Sequence, residues 1–172
     1  MQTATPEAPE LSIQAIGEQY LTFVLGKEEY AIEILKVQEI KSWGPVTPIP
    51  CAPEYLLGVI NLRGAIVPVI DLRRRFGLDT GEFTPTTVVI IVRAKCGEQE
   101  HVAGLVVDQV AEVYHLDPTS IQDSVEIAGS IDANFIRGLA QADKKLIILV
   151  NLDQIIESSL DLLDMAREEA NA

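Results

Sequence analysis

Positive charge is scarce in this chain: 13 lysines and arginines stand against 26 aspartates and glutamates, giving a formal net charge of −13 at pH 7. A surface so acidic disfavours nucleic acid and anionic membranes, because phosphate contacts need clustered cations. The one basic run, Arg73-Arg74-Arg75, reads as a solvated turn after a strand. Cysteine is nearly absent too. Cys51 and Cys96 fit neither a CxxC nor a zinc spacing, so they read as reduced, buried small apolar groups, and no metal site is expected. Long apolar runs are missing: Val88 to Val92 and Leu146 to Val150 fall far below the roughly 20 residues needed to cross a bilayer. The first residues, MQTATPEAPE, lack both the basic start and the apolar stretch of a secretion signal, and a soluble cytoplasmic protein is the expectation.

Catalytic patterns are equally thin. His101 and His115 each lie inside a β-type run, with no serine, cysteine or carboxylate at triad or metal-ligand spacing. The loops GxSxG, GxxxxGK[ST] and GxGxxG do not occur, so covalent hydrolysis and nucleotide binding lack their usual parts, and no cofactor is expected. Asp71 and Asp108 each follow an apolar strand. They could place a carboxylate pair at a barrel rim for acid–base work, but the simpler reading is two turn residues that accept backbone hydrogen bonds. An enzyme is therefore not the expected function.

What the chain does have is 48% hydrophobic residues over 172 positions, enough for one ordinary domain or two small units sharing a core. Residues 1–18 carry three glutamates, two prolines and no aromatic residue, and read as a flexible tail. From Gln19 onward, short β-type runs follow at 20–26, 29–34, 46–49, 58–62, 65–72, 86–94, 101–108, 110–116, 135–141 and 144–152. That density of short strands predicts small barrels rather than a helix-covered parallel sheet. Helix is expected in two places. Ile34, Val37 and Ile40 suggest a short connector helix, and Ile156, Leu160 and Leu163 form one stripe of a C-terminal helix with Asp153 as candidate N-cap. The implied division is a tail at 1–18, a β domain at 19–156, and an amphipathic helix and tail at 157–172.

An internal duplication supports two alike units. LGKEEYAIEILKVQEI (25–40) parallels CGEQEHVAGLVVDQVAEV (96–113), setting Gly26 against Gly97 and, after a two-residue offset, Glu39 against Glu112. GVINLRGAIVPVIDL (58–72) parallels GLAQADKKLIILVNL (138–152), setting Gly58 against Gly138 and Asp71-Leu72 against Asn151-Leu152. Within the first of these, Leu62-Arg63-Gly64 must reverse the chain between two strands, with Gly64 supplying the positive φ. Pro68 marks its strand as an edge or the neighbour of a bulge. Arg63 thus stands on a rigid hairpin tip. Together with Val37 and Glu39 on the connector and Val88 at the start of a strand, it makes a plausible protein-binding patch.

These residues resemble the CheW family, the coupling proteins of bacterial chemotaxis. The resemblance rests on FVLGKEEYAIEILKVQEI (23–40) and PEYLLGVINLRGAIVPVIDL (53–72), in which the family pattern falls on Gly58, Asn61, Arg63, Gly64, Pro68, Val69, Asp71 and Leu72, and it runs from about Gln19 to about Ile156. It implies an all-β fold of two five-stranded SH3-like barrels. It also implies a non-catalytic adaptor that joins the regulatory domain of the histidine kinase CheA to the cytoplasmic tip of methyl-accepting chemotaxis receptors, recruited through them to the inner face of the membrane. Carried over by position, the receptor-facing residues are Val37, Glu39, Arg63 and Val88. The kinase-facing surface falls around Val46 and Gly58 in one barrel and from Ile121 to Ile127 in the other. Relatives often carry an arginine directly after the position of Ile121, where this chain has Gln122. The resemblance also admits contacts between copies in arrays, and an adaptor serving surface motility or gene regulation instead of swimming.

Overall fold

The structure is a computed structural model that describes residues 19–78, 81–122 and 133–160. Ten strands run in order: β1 (Gln19–Leu25), β2 (Glu28–Glu33), β3 (Val37–Ser42), β4 (Leu56–Leu62), β5 (Ala65–Asp71), β6 (Val88–Cys96), β7 (Gln99–Val107), β8 (Gln109–His115), β9 (Ile136–Ala142) and β10 (Lys145–Val150). A single α-helical turn, α1 (Leu72–Arg75), follows β5, and a helix α2 over 152–160 follows β10. The strands make two five-stranded sheets, ordered β8-β1-β2-β10-β9 and β3-β6-β7-β5-β4. The expected all-β architecture of two five-stranded units is present.

Both sheets follow one plan. An antiparallel hairpin (β1–β2, or β6–β7) pairs in parallel with the last strand of the other half (β10, or β5), which in turn pairs with its own hairpin partner (β9, or β4). Each half of the sequence therefore gives its first hairpin to one sheet and its second hairpin to the other. The duplication is thus visible in the fold, but a half-sequence is not a barrel.

Each sheet closes on itself through the segment that follows an edge strand. After β3, Thr47 exchanges two backbone hydrogen bonds with Val59 of β4, at 2.9 and 2.8 Å; after β8, Gln122 does the same with Leu139 of β9, both at 2.8 Å. A glycine precedes each bridge residue. An added Cβ would lie 2.2 Å from Thr47 O at Gly58 and 2.8 Å from Gln122 O at Gly138, so a side chain would prevent either closure.

Three apolar clusters follow from strand alternation. Ile147 and Leu149 of β10 point into the first barrel with Tyr20, Ala31 and Ala140, while Val67, Val69, Val89, Ile91 and Val106 fill the second. The residues in between, including Ile148, Val150, Ile90 and Val92, face a larger core shared by both sheets, which is sealed by Leu152, Ile155 and Ile156 of α2. The central strands are buried on both faces, which is why they read as unbroken apolar runs.

Several local expectations need correction. The expected short connector helix is present only as a 3-10 turn over Ile34–Lys36, and β3 begins at Val37, so Val37 and Ile40 belong to a strand. The β3–β6 register slips around Gln38, with Val37 opposite Val92 but Glu39 opposite Ile91, and this extra residue imitates a helical period. The run at 46–49 forms only the Thr47 bridge, because Pro45 and Pro48 lack a donor. β5 is an interior strand and not an edge, although its pairing with β4 does slip beside Pro68, where Gly58 faces Val69 and Leu56 faces Ile70. Pro68 is tolerated because the pairing of β5 with β7 starts one residue later, at Val69. Asn151, and not Asp153, caps α2, its side-chain oxygen accepting from Gln154 N at 3.2 Å. Asp153 pairs instead with Lys36 at 3.2 Å. Leu160 packs against the shared core as expected, whereas Leu163 lies outside the described residues. Cys51 is exposed rather than buried, and Cys96 is half-buried.

The basic run is the largest correction. Arg73 is buried, with its guanidinium between Asp71, at 3.2 Å to each carboxylate oxygen, and Asp108, at 3.1 Å. Burial lowers its pKa, but the two carboxylates outweigh that and hold it above the ordinary arginine value. Arg75 lies 4.5 Å from the ring centroids of both Tyr55 and Phe135 and donates to Ser158 and Ser159 of α2. Asp71 does accept from the backbone, at Arg73 N, 3.0 Å away.

Candidate functional site

The β4–β5 hairpin turns on two residues, and both have positive φ: Arg63 at 51° and Gly64 at 88°. Positive φ was expected of Gly64 alone. A left-handed arginine costs about 1 to 2 kcal/mol, and the turn is held by Asn61, whose side-chain oxygen accepts from Gly64 N at 2.9 Å. The side chain of Arg63 is 71% exposed and its Nη1 lies 2.7 Å from Glu39 Oε2 on β3. A pair that open to water contributes about 0 to 1 kcal/mol, which does not exceed the backbone strain of the turn. Fold stability therefore does not explain an arginine at this tip.

Glu39, the partner of that pair, is mostly covered and holds one side of the guanidinium. Beside it, Asn61 pairs with Ile66 across the hairpin, and Ile66 is 62% exposed. Leu35 and Ile40, which flank Val37 and Glu39 on the chain, are 69% and 45% exposed. Sequence reasoning missed Leu35, Ile40 and Ile66, although an alternating strand with an apolar residue opposite Asn61 carries the signal. A shallow cavity of about 170 Å³ adjoins the patch, lined by Leu35, Lys36, Val37, Gln38 and Arg93.

Of the four residues named for this face, the structure brings Glu39 and Arg63 into contact; Val37 is two residues away on β3, but the register slip at Gln38 turns it to the other face of the sheet, half-buried against the shared core. Val88 stands apart. It pairs with Ser42, four residues along β6 from the rung that holds Val37, a separation of about 13 Å at the usual rise per residue. Its side chain packs against the shared core.

The second group divides between the two closures. Val46 is half-buried in a groove of about 310 Å³ lined by Lys41, Thr47, Val59, Ile60 and Asn61. Gly58 lies beneath it, buried against Thr47, and contributes space rather than a contacting side chain. Ile121 and Gln122 belong to the equivalent closure of the other sheet. Ile121 packs on that barrel's interior cluster, and Gln122 is exposed beside a groove of about 420 Å³ lined by Ser120, Leu139, Ala140, Gln141 and Leu146. Ile127 lies outside the described residues.

The two grooves lie beside equivalent closures but differ in size and in the charges around them. Ile66 and Leu146 occupy equivalent positions and are both exposed, at 62% and 49%. The turn that holds Arg63 corresponds to one formed by Asp143 and Lys144, also with positive φ. Where one mouth has Glu39 and Arg63, the other has Glu112 and Asp143. Tyr114 reports that local negative charge: hydrogen bonding to Glu112, then burial, then the charges of Glu112, Asp143 and Glu29 push it up to about 12. The two surfaces therefore present different electrostatics to whatever docks on them.

Asp71 and Asp108 do converge, but both are committed to Arg73. His115 is bonded to Gln19 at 3.0 Å, and no group of three or more metal-ligating side chains occurs among the described residues. Among them, too, no helix is long and apolar enough to cross a membrane.

Comparison with known proteins is consistent along the whole described chain. The family model of the CheW-like domain matches residues 19–160. The chain is 38% identical over 149 residues to a chemotaxis protein CheW of Klebsiella aerogenes, covering 87% of each protein. It is 37% identical over 142 residues to the CheW of Rhizobium meliloti, covering 83% of this chain and 89% of that one. A more distant match, at 27% over 152 residues, is Protein FrzA of Myxococcus xanthus. Among solved structures, the scaffolding protein TtCheW of Thermoanaerobacter tengcongensis superposes with a TM-score of 0.73 at 37% identity, covering 81% of this chain and 87% of that one.

Proposed function

The chain belongs to the CheW-like family, and from that premise we propose that it is a non-catalytic chemotaxis adaptor, joining the cytoplasmic tip of methyl-accepting receptors to the regulatory domain of a CheA-type histidine kinase. The observation that carries the receptor side is Arg63: an arginine held in a left-handed conformation, 71% exposed, with only an exposed ion pair to set against its strain. A receptor tip is a helical hairpin, and its apolar stripe can lie along Val37 and the exposed Leu35 and Ile66 while a helix carbonyl or carboxylate meets the guanidinium. The grooves beside Val46 and Gln122 are the kinase-facing surfaces in this reading, with Gly58 and Ile121 shaping them from beneath. Copies meet one another and the kinase in arrays at the inner face of the membrane, where many modest contacts give order.

Titration of a receptor cytoplasmic hairpin fragment tests the assignment. Arg63→Ala should keep the fold and lose about 5- to 150-fold in affinity, the 1 to 3 kcal/mol expected of an interface anchor. Unchanged affinity would remove Arg63 from the receptor surface. The similarity to Protein FrzA favours a second reading, in which the same adaptor serves a chemosensory pathway other than swimming, controlling surface motility or gene expression. Co-purification from the native cell separates the two by the kinase and receptors that come with it.

A further inference from the structure

The chain crosses between the two sheets at few places, and one crossing is a single residue. β7 ends at Val107 in one sheet, β8 begins at Gln109 in the other, and Asp108 stands between them. Every polar group of Asp108 is used, and the partners alternate between the two bodies. Its N–H donates to Val24 O of β1 at 3.1 Å, and its Oδ2 accepts from Gly26 N in the β1–β2 turn at 2.7 Å. Its Oδ1 accepts from Arg73 of α1 at 3.1 Å, and its carbonyl accepts from Thr86 Oγ1, just ahead of β6, at 3.0 Å. The first two partners lie on the side of the sheet of β1, the second two on the side of the sheet of β6.

Arg73 is built to be rigid. Asp71 grips it through two oxygens, Gly81 O accepts from the same Nη1 at 3.2 Å, and the Phe83 ring lies 5.2 Å from its carbon centre. Phe83 stacks on Trp43 at 4.3 Å, so the arginine is also tied to the segment that leads from β3 to the Thr47 closure. A planar fork locked on one side by a bidentate carboxylate can transmit orientation to a second carboxylate on the other side.

We propose that Asp108 and Arg73 are positioning residues that, in addition to the shared core, set the fine angle between the two sheets, and with it the spacing between the Arg63 patch on one and the Gln122 groove on the other. That two partners use this spacing rests on the adaptor reading; the angle itself does not. Simultaneous engagement of two rigid partners is lost when geometry forbids it, even if each separate contact survives.

The test uses the full chain. Amide residual dipolar couplings are measured for the parent and for Asp108→Asn, which preserves shape and the acceptor for Gly26 but removes the charge facing Arg73. The parent should fit one alignment tensor across both sheets. In the variant each sheet should still fit a tensor of its own as well as before, while a common fit fails, a result that general destabilisation would not produce. Thr86→Val, which removes the bond to the Asp108 carbonyl together with the local Thr84–Thr86 hydroxyl contact at 2.8 Å, should give the same divergence at smaller amplitude and guards against a variant that does not fold. In parallel, affinities for receptor fragment and kinase regulatory domain taken singly should stay within about twofold, as for distant sites. Capture of receptor fragment on immobilised kinase domain through the adaptor should fall about tenfold. A common tensor in both variants overturns the proposal. Diverging tensors in a protein whose parent form binds neither partner support the positioning role and overturn the adaptor reading alone.

Discussion

Gly58→Ala is the substitution whose cost can be worked most directly from the structure. Gly58 has φ of 151°, and a Cβ there would sit 2.2 Å from Thr47 O and 2.7 Å from Thr47 C. These are backbone atoms, so no side-chain rotation relieves the clash and Thr47 must withdraw. Withdrawal breaks both bonds between Thr47 and Val59, about 1 to 3 kcal/mol together. Forcing alanine into that φ adds about 1 to 3 kcal/mol, for a total of about 2 to 6 kcal/mol. Urea unfolding of the variant should show that loss with an unchanged m-value, and the Val59 amide should exchange faster than its neighbours. Gly64→Ala is the reference, because φ is 88° but nothing lies within 4 Å of the added carbon, so only strain of about 1 to 2 kcal/mol applies. If Gly58→Ala costs no more than Gly64→Ala and Val59 stays protected, the closure of the barrel through Thr47 is wrong.

Arg75→Met should loosen α2, since it removes the bonds to Ser158 and Ser159 and the contacts with Tyr55 and Phe135, for about 2 to 4 kcal/mol; unaltered thermal stability and unaltered protection of amides 155–160 would refute this. Alkali should unfold the protein earlier than acid–base neutrality suggests. Burial and then the charge of Glu28 push Tyr30 up to about 12, and Tyr114 is pushed up to about 12 chiefly by Glu112, both from 10.0. Each favours the neutral phenol in the folded state, so this stabilisation is complete below pH 10 and is lost as pH rises towards 12. Burial also raises Tyr55, so spectrophotometric titration should find at least these three phenols ionising late, with falling stability across that interval, and phenols that all ionise near 10 would contradict it.

The strands were legible because buried central strands must be apolar on both faces, as in Val88 to Val92 and Leu146 to Val150. The duplication was legible because glycine is compulsory where a connector crosses β4 or β9, which is why Gly58 and Gly138 align. β3 was not legible, since the bulge at Gln38 breaks the alternation by which a strand is recognised. Arg73 was misread for a different reason: Asp71 is close in sequence, but the second carboxylate, Asp108, is 35 residues away, and no local pattern distinguishes a buried arginine from a solvated one. Arg63 was the opposite case. Its turn chemistry is local, in Asn61 and Gly64, so its exposure on a stiff tip could be anticipated, whereas its approach to Glu39 required the closure that brings β3 and β4 together. The exchange of hairpins between halves left no trace in sequence, because the parallel pairs β2–β10 and β5–β7 join segments far apart in the chain.

That exchange has a consequence for how the molecule can be taken apart. Severed between Asp71 and Val88, it would yield two pieces, neither of which owns a whole sheet, so neither could persist alone as a miniature lobe. Each would instead be the other's missing complement, and mixing them should restore the parent. An ancestral single-copy polypeptide would have needed a twin to complete itself in the same manner, and joining the twins end to end would have turned an intertwined dimer into one continuous gene product.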